Sequence, residues 1–537
     1  MKIQLHSVTV SPRLPCGTVP NFSGLVARAL FAALAFAIHA TQAAVIEGWI
    51  QRYNGPANRD DGAGAIAVDG RGDVVVTGVS YTSETAYQYY TAKYAAATGA
   101  LLWEKRSSVG GVIAVEVDDS GDVIVTGSHA FTGFNGDYYT AKYSGANGAL
   151  LWQKIYNGPS NDNDSPIDMA LDSSGNVVVT GLSAASNFFT TDYYTAKYAA
   201  TNGSLLWEKR YNGPANSYDQ ANSVAVDASG DVVVTGDSQG DFYTAKYAGT
   251  NGALIWEKRY NGPANRGDSG IAVALDTSGN VVVTGISGNF VGSHDFCTVK
   301  YAAANGALLW EKRYVGPGTF DDARAVAVDA NGDVFVTGGS DNSGNTSDFY
   351  TIKYAGADGA LLWEKRYNGP TNKDDDAYAV AVDGSGDVVV VGISESDFYT
   401  IKYAGTNGTL LWEKRYNGSA NGNEFFYSAD SLALGPNGML AIAAYSEGTF
   451  NSRTTYDFAT VIYWENLPPI SIAADGSGGY VIRTTGTAGS IYELQRAAGL
   501  TDAWLSNTTM TATAPGVIEF HDTNAPSGAA FYRAVQR

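Results

Sequence analysis

Short runs in which apolar and polar residues alternate follow one another along most of the chain. The clearest series runs Ser223-Val-Ala-Val-Asp-Ala-Ser-Gly-Asp-Val-Val-Val-Thr-Gly236, then Asp241-Phe-Tyr-Thr-Ala-Lys-Tyr247, then Gly252-Ala-Leu-Ile-Trp-Glu-Lys-Arg-Tyr-Asn-Gly-Pro263. β-branched and aromatic residues fill the runs, and Gly or Asn stands at each break, which favours strands joined by tight turns. No segment keeps a helical period. The pattern therefore predicts an all-β protein built from a four-stranded unit.

This unit recurs with a period of 49 to 55 residues, measured between equivalent tryptophans. The tryptophans are Trp49, Trp103, Trp152, Trp207, Trp256, Trp310, Trp363 and Trp412. Such a period fits a propeller blade of four strands. Residues 45–53 form a lone fourth strand, and the last unit lacks that strand. We therefore expect an eight-bladed β-propeller over residues 44–466, closed by residues 45–53 against the last blade.

Two motifs resemble known repeat families. Gly-Asp-Val-Val-Val-Thr-Gly followed by Asp-Phe-Tyr-Thr-x-Lys-Tyr is similar to the SBBP-type repeats of bacterial β-propellers. Ala95-Ala-Ala-Thr-Gly-Ala-Leu-Leu-Trp103 resembles the tryptophan-docking turn of eight-bladed quinoprotein repeats. The resemblance implies the fold over about 420 residues. It implies no particular activity, because propellers host many functions.

Residues 1–43 have the pattern of a secretory signal peptide. An apolar run from Leu25 to Ile38 is broken only by Arg28, and Thr41-Gln-Ala43 supplies small residues before a cleavage site at Ala44. The uncharged stretch after Arg28 is too short to span a bilayer. We therefore expect a secreted protein, extracellular, on the cell surface or periplasmic, with no membrane span in the mature chain. Cys297 would be its single cysteine.

The C-terminal residues lose the repeat. We expect a linker at 467–469 and short strands over 470–537. Tyr492-Glu-Leu-Gln, Phe520-His-Asp and Phe531-Tyr-Arg resemble small immunoglobulin- or fibronectin-III-like modules of secreted bacterial proteins. The resemblance implies a small C-terminal β-sandwich.

The charge balance narrows the choice of partners. The chain has 34 Lys and Arg against 54 Asp and Glu, a net charge of −20. Nucleic-acid and anionic-membrane surfaces need clustered basic residues, so neither is expected as a partner.

Strand order places two kinds of connection on opposite faces of the predicted ring. The loops from strand two to three, and from strand four to the next blade, vary in length and share one face, here named the variable-loop face. Variable loops on a rigid scaffold are where binding usually occurs. The short Asp-x-x-Gly and Ala-x-x-Asn-Gly turns lie on the other side, the turn face.

The blade-to-blade loops on the variable-loop face are acidic. They contain Asp60-Asp61, Asp162-Asn-Asp164, Asp219, Asp268, Asp321-Asp322 and Asp374-Asp375-Asp376. One interpretation is a Ca²⁺ site, for which Asp374, Asp375 and Asp376 are the candidate ligands, since Ca²⁺ prefers carboxylate oxygens. The alternative is solvated turns that keep the protein soluble. No cofactor is required on either interpretation.

Loop lengths single out one part of the ring. The loop into blade two is clipped and the loop into blade eight is extended, which predicts a notch beside an aromatic wall next to blade one. The candidate ligand-binding residues are Phe425, Phe426, Tyr427, Phe131, Phe134, Asp60 and Asp61. Aromatic rings beside carboxylates suit a carbohydrate or a peptide. The alternative is that these aromatics fold back onto the blades.

No catalytic residue is predicted. His294-Asp-Phe-Cys297 pairs a base with a nucleophile in sequence, but the cysteine begins strand three, where the geometry directs it away from His294. The quinone-dependent dehydrogenases that the repeat resembles use an adjacent cysteine pair, which this chain lacks. Three functions stay open: a non-enzymatic binding or scaffold propeller, a carbohydrate-active or quinone-dependent enzyme, and a structural protein of the cell surface.

Overall fold

The computed structural model describes most of the repeat region and parts of both ends. The described residues are 6–8, 45–83, 86–107, 111–130, 136–187, 190–289, 293–344, 346–418, 422–426, 429–450, 453–465, 471–474, 480–486, 491–497, 505–511, 516–522 and 530–536. The chain divides into two compact units, Ile46–Tyr463 and the remainder. The predicted linker at 467–469 lies outside the described residues.

The larger unit is an eight-bladed propeller, as the repeat predicts. Seven blades are antiparallel four-stranded sheets whose strands pair in chain order. The first strands of neighbouring blades contact one another, so they surround the axis. The described helices are two short 3-10 turns, Ala429–Ser431 and Pro436–Gly438. None of the helices in this part of the chain has the length and hydrophobicity to cross a membrane.

The strands of the first four blades have these bounds: Asp61–Val68, Val74–Tyr81, Tyr87–Tyr94 and Leu101–Ser107; Gly111–Val117, Val123–Ala130, Gly136–Tyr143 and Leu150–Tyr156; Asp164–Leu171, Val177–Asn187, Thr190–Tyr198 and Leu205–Tyr211; Asp219–Val226, Val232–Ser238, Asp241–Tyr247 and Leu254–Tyr260. Blades five to seven consist of Asp268–Leu275, Val281–Gly288, His294–Tyr301 and Leu308–Tyr314; Asp321–Val328, Val334–Asp341, Ser347–Tyr354 and Leu361–Tyr367; Asp375–Val382, Val388–Ser394, Asp397–Tyr403 and Leu410–Tyr416.

Blade eight is assembled from both ends of the repeat region. Its inner strand is split into Glu424–Phe425 and Leu432–Gly435, followed by Met439–Phe450 and Arg453–Trp464. Ile46–Tyr53 pairs with Arg453–Trp464 as the outermost strand. The predicted closure of the ring is therefore confirmed.

Side chains of the closing strand connect three blades. The guanidinium of Arg52 lies 3.3 Å from Asp457 Oδ2 and donates to Tyr416 Oη of blade seven at 3.4 Å. Trp49 Nε1 donates to the carbonyl oxygen of Ala96 in blade one at 2.8 Å. Because these side chains contact blades one and seven, loss of the strand would weaken both interfaces of blade eight.

The same tryptophan contact joins the regular blades. Trp103 Nε1, for example, donates to Gly145 O in the next blade at 3.0 Å. The indole lies against Gly148, whose φ of +66° places it in the left-handed region, and a Cβ there would lie 2.8 Å from the ring. Only glycine meets both demands, which explains the Gly of the Ala-x-x-Asn-Gly turn.

A buried lysine near the end of each regular third strand pairs with the aspartate that follows the first strand. In blade one, Lys93 Nζ lies 2.8 Å from Asp69 Oδ2, and both side chains are almost fully buried. The pair recurs in the next six blades as Lys142–Asp118, Lys197–Asp172, Lys246–Asp227, Lys300–Asp276, Lys353–Asp329 and Lys402–Asp383. Burial acts to raise the pKa of Asp69, but hydrogen bonds from Lys93 and Arg71 lower it overall.

The second unit contains two small antiparallel sheets. One has the order His6–Val8, Ala530–Gln536, Ile491–Ala497, Leu505–Thr511, and the other the order Ser471–Ala474, Tyr480–Gly486, Gly516–Asp522. The strand His6–Val8 belongs to the segment that the sequence assigns to a signal peptide, and that assignment stays a prediction.

Candidate functional site

One carboxylate of each acidic loop, at the first residue of the strand that follows the loop, is buried in the rim of its own blade. Asp61 is fully buried and accepts a hydrogen bond from Gly55 N at 2.5 Å. The hydroxyl group of Ser80 donates a second hydrogen bond to its carboxylate. Burial raises the pKa of Asp61 to about 6. The equivalent residues accept the same glycine N–H: Asp164, Asp219, Asp268, Asp321, Asp375 and Glu424. These acids brace the loops internally, so the expectation of solvated turns is wrong for them.

The three candidate calcium ligands contact different partners. Asp375 is buried against Gly369 N at 2.5 Å. Asp374 Oδ1 accepts from Ser347 N at 3.2 Å, and Asp376 Oδ1 accepts from Ser347 Oγ at 2.8 Å. Within the described ranges, no three His, Cys, Asp or Glu side chains converge as a metal site. Asp374 and Asp376 instead share the wall of a groove.

The candidate residues beside blade one are placed in part. Phe425 is 47% exposed and meets Tyr456 edge-on, with ring centroids 5.5 Å apart. Asp60 Oδ1 accepts from Tyr456 N at 3.2 Å, so Asp60 and Phe425 are neighbours. Phe426 is buried against Phe398 of blade seven, 5.0 Å away. Phe131, Phe134 and Tyr427 lie outside the described residues, and the predicted site stays a prediction.

A groove of about 570 Å³ opens on the variable-loop face across blades five, six and seven. Its walls come from the loop into blade six, the ends of two strands of that blade, and the loop into blade seven. The side chains on these walls include His294, Phe320, Asp322, Arg324, Asp341, Ser347, Asp374 and Asp376. The strands fix their backbone positions, so the groove is supported by rigid elements.

Part of the charge in the groove is paired. His294 Nδ1 lies 2.6 Å from Asp322 Oδ1, and this hydrogen bond raises the pKa of the histidine. Arg324 lies 3.5 Å from Asp376 and stacks over the ring of Tyr378 at 4.5 Å. The four carboxylates outnumber the one guanidinium, which leaves a net charge of −3 while His294 is neutral. The groove therefore has a negative potential.

The sequence contained a signal for this groove that the acidic-loop pattern concealed. An aspartate directly follows the buried acid only in blades six and seven, as Asp322 and Asp376. The other regular blades have Gly62, Val112, Ser165, Gln220 and Ser269 at that position. Phe320 and Arg324 could not be assigned, because neither stands out without knowing that the two loops face each other.

A second cavity, of about 280 Å³, lies on the axis of the ring and is lined by Glu116 and Asp430. All seven other blades have alanine where blade two has Glu116, as expected where the sheets crowd together. Burial and the nearby carboxylate of Asp168 raise the pKa of Glu116 to about 7. Burial and the nearby carboxylates of Asp168 and Glu116 raise the pKa of Asp430. Three carboxylates thus repel one another across the axis.

Replacing Glu116 by the alanine of the other blades should stabilise the ring at alkaline pH. The pKa of Glu116 is higher in the folded protein than in the unfolded one, so ionisation of Glu116 destabilises the fold. This destabilisation is absent below pH 4, grows as the pH rises and is complete above about pH 7. Each unit by which folding raises the pKa corresponds to roughly 1.4 kcal/mol. Solvent screens the partly exposed Glu116 side chain, so we expect a gain in stability smaller than the full pKa shift would give, on the order of 2 kcal/mol. Thermal unfolding should show a larger Tm increase for Glu116→Ala at about pH 8.5 than at about pH 4, and an equal increase at both would contradict the axial repulsion.

The one described cysteine is unsuited to catalysis. Cys297 is fully buried, and burial raises the pKa of its thiol to about 12. It pairs with Gly285 in the sheet, where the other blades place Tyr243, Tyr350 and Tyr399. His294 contacts Asp322 and the ring of Phe320 instead.

Comparisons with known proteins support a propeller repeat. Residues 295–454 match the family model described as "Outer membrane protein assembly factor BamB". No curated protein matches the sequence. The matched segment contains the groove residues of blades six and seven, and it is similar to the repeats of that family.

Solved propellers are similar in fold at low identity. The chain resembles Sqt1 of Saccharomyces cerevisiae, with TM-score 0.50 and 8% identity over 77% of this chain and 97% of that one. BamB of Moraxella catarrhalis gives TM-score 0.47 and 13% identity over 78% and 100%. The quinohemoprotein alcohol dehydrogenase of Comamonas testosteroni gives 0.48 and 10% over 80% and 79%. At these identities the likeness concerns the fold alone.

Proposed function

We propose that this protein is a secreted, non-enzymatic binding or scaffold propeller that holds a protein or peptide partner on its variable-loop face. The observation that carries the proposal is the groove across blades five to seven, which is the larger of the two cavities described above. It opens on the face where the loops vary, and its walls present an exposed aromatic ring beside several carboxylates. Such a surface offers binding without a nucleophile paired to a base.

The repeat family supports a scaffold role. The family model that matches blades five to eight is named for an assembly factor of the outer membrane, which is a task of holding partners rather than converting them. The predicted export signal is consistent with a location outside the cytoplasm. We also propose that the glycine turns serve as tryptophan-docking turns, which make the ring rigid enough to present the loops.

The enzyme alternative has less support from the site. A glycosidase needs two carboxylates flanking a sugar bond at a defined separation. In the groove, Asp322 and Asp376 are engaged by His294 and by Arg324, respectively. A carbohydrate ligand without turnover is compatible with the same surface and is an outcome of the test below.

Blocking the groove sterically tests the proposed face. Thr319 is exposed on the groove wall, so Thr319→Trp should fill the space without changing the charge. Peptide and glycan arrays would be probed with the mature protein, with and without Ca²⁺. We expect binding of the parent protein to be lost or weakened at least about tenfold by this substitution, while Tm is unchanged.

Ala97→Trp is the matched control, because Ala97 is exposed in a turn on the opposite face. It should leave array binding unchanged. Equal binding by both tryptophan variants, absence of any array ligand, or turnover of an offered glycan would contradict the proposed function.

A further inference from the structure

We propose that the groove across blades five to seven binds a cationic side chain, an arginine or lysine carried by a peptide partner. This inference rests on the proposed binding role of the variable-loop face and names the chemistry that the face recognises. It is carried by an exposed aromatic ring and two carboxylates that form no ion pair with a described residue, all three lining the same groove.

Asp341 and Asp374 supply the unpaired negative charge. Asp341 Oδ2 accepts from Phe320 N at 3.1 Å, and Asp374 Oδ1 accepts from Ser347 N at 3.2 Å. Within the described part of the chain, no lysine, arginine or histidine forms an ion pair with either. A carboxylate has about four acceptor positions. Backbone hydrogen bonds therefore fix both groups in place while leaving oxygen lone pairs for a ligand.

Phe320 supplies an aromatic surface in the same groove as these carboxylates. Its side chain is 44% exposed, although most aromatic rings of the propeller are buried. The ring of His294 supports it, with centroids 4.8 Å apart. A cation is attracted to the face of an aromatic ring, and more strongly when carboxylates share the site.

The groove already contains one example of this recognition. The guanidinium of Arg324 stacks on Tyr378 at 4.5 Å and lies 3.5 Å from Asp376. Phe320, Asp341 and Asp374 supply the same two kinds of group, a ring and carboxylates, on the wall of the groove. We infer that a second guanidinium or ammonium group, brought by a partner, would occupy it.

The charge of the groove favours a peptide over a neutral sugar. A neutral sugar could accept hydrogen bonds from the walls and donate to them, but it would leave the excess of carboxylates uncompensated. A cationic residue reduces that charge, and the potential also steers it toward the face. Among the regular blades only blades six and seven carry the extra aspartates Asp322 and Asp376, so the charge of the ring is not eightfold symmetric.

The test uses a fluorescent Gly-Gly-Arg-Gly-Gly peptide and its citrulline analogue, which keeps the shape of arginine without its charge. We expect the mature protein to bind the arginine peptide at least about tenfold more tightly, with affinity falling as salt rises. Equal affinity for the two peptides, or no binding of the arginine peptide at millimolar concentration, would overturn the inference. Preferential binding of a neutral oligosaccharide would overturn it and leave the proposed function intact.

Groove variants locate the interaction. Phe320→Ala and the double change Asp341→Asn with Asp374→Asn should each weaken arginine-peptide binding at least about fivefold without lowering Tm. Asp358→Asn is the matched control: it removes one exposed carboxylate on the turn face, where five other blades have asparagine. If all variants bind like the parent, the peptide binds elsewhere and the assignment of this groove fails.

Discussion

Removal of residues 45–53 from the mature protein is expected to produce aggregation or a large loss of thermal stability. The deletion exposes an unpaired edge of Arg453–Trp464, and unpaired edges template association between chains. It also uncovers the surface that Trp49 buries, about 200 Å², which corresponds to at most ~5 kcal/mol at roughly 25 cal/mol per Å². Size-exclusion chromatography and thermal unfolding would measure both effects.

A synthetic peptide of residues 45–53 provides the control for this deletion. If the strand acts by closing blade eight, the peptide added in trans should restore a monomer and part of the lost Tm. The variant Trp49→Ala should lose the contact to Ala96 O and destabilise the ring less than the deletion does. A truncated protein that stays monomeric and as stable as the parent would contradict closure by this strand.

The buried lysine pairs should give the second large effect. In the variant Asp69→Asn the ammonium of Lys93 stays buried but loses its counter-charge, although the amide oxygen of the introduced asparagine could still accept the turn N–H of Arg71. Breaking one partner of a buried pair costs about 3–5 kcal/mol. We expect a corresponding loss in the free energy of unfolding, measured by denaturant titration.

The double variant Asp69→Asn with Lys93→Met removes both charges and should be more stable than Asp69→Asn alone. Blade eight supports this expectation, because Gly435 and the buried Ile462 occupy the two positions together. Arg71→Ala is the surface control: Arg71 is 71% exposed and lies 3.5 Å from the same aspartate, so its loss should change stability by less than about 0.5 kcal/mol. A double variant as unstable as the single one would show that the pair is not coupled.

The fold could be predicted because the repeat states each strand several times. A single short apolar run does not define a strand by itself. Eight copies of the tryptophan and an extra strand at the N-terminal end of the repeat leave little choice of architecture. The buried lysine and the buried acid at the start of each first strand could not be recognised as interior groups. A sequence gives no sign that a charged residue is buried, because its partner lies elsewhere in the chain. Lys93 lies on a third strand, and its partner Asp69 lies in the turn after the first strand.

The candidate site was harder to predict for a related reason. Loop length and aromatic content single out Phe425 and Asp60 beside blade one, where the sequence departs from its period. The groove is made by ordinary-length loops whose substitutions are single residues, Phe320 and Arg324 among them. Their significance depends on which neighbouring loops face each other, and only the assembled blades define that.

Site-specific photo-cross-linking tests the central claim, that the groove across blades five to seven is the binding site. Benzoylphenylalanine would be placed at Ser343, which is exposed two residues after the groove carboxylate Asp341, at Thr82 in the exposed loop of blade one beside Asp60, and at Ala97 on the turn face. With the arginine peptide as probe, we expect a cross-link at Ser343 that the citrulline peptide does not give, and none at Ala97. A dominant cross-link at Thr82 would contradict the groove and place binding at the wall beside blade one.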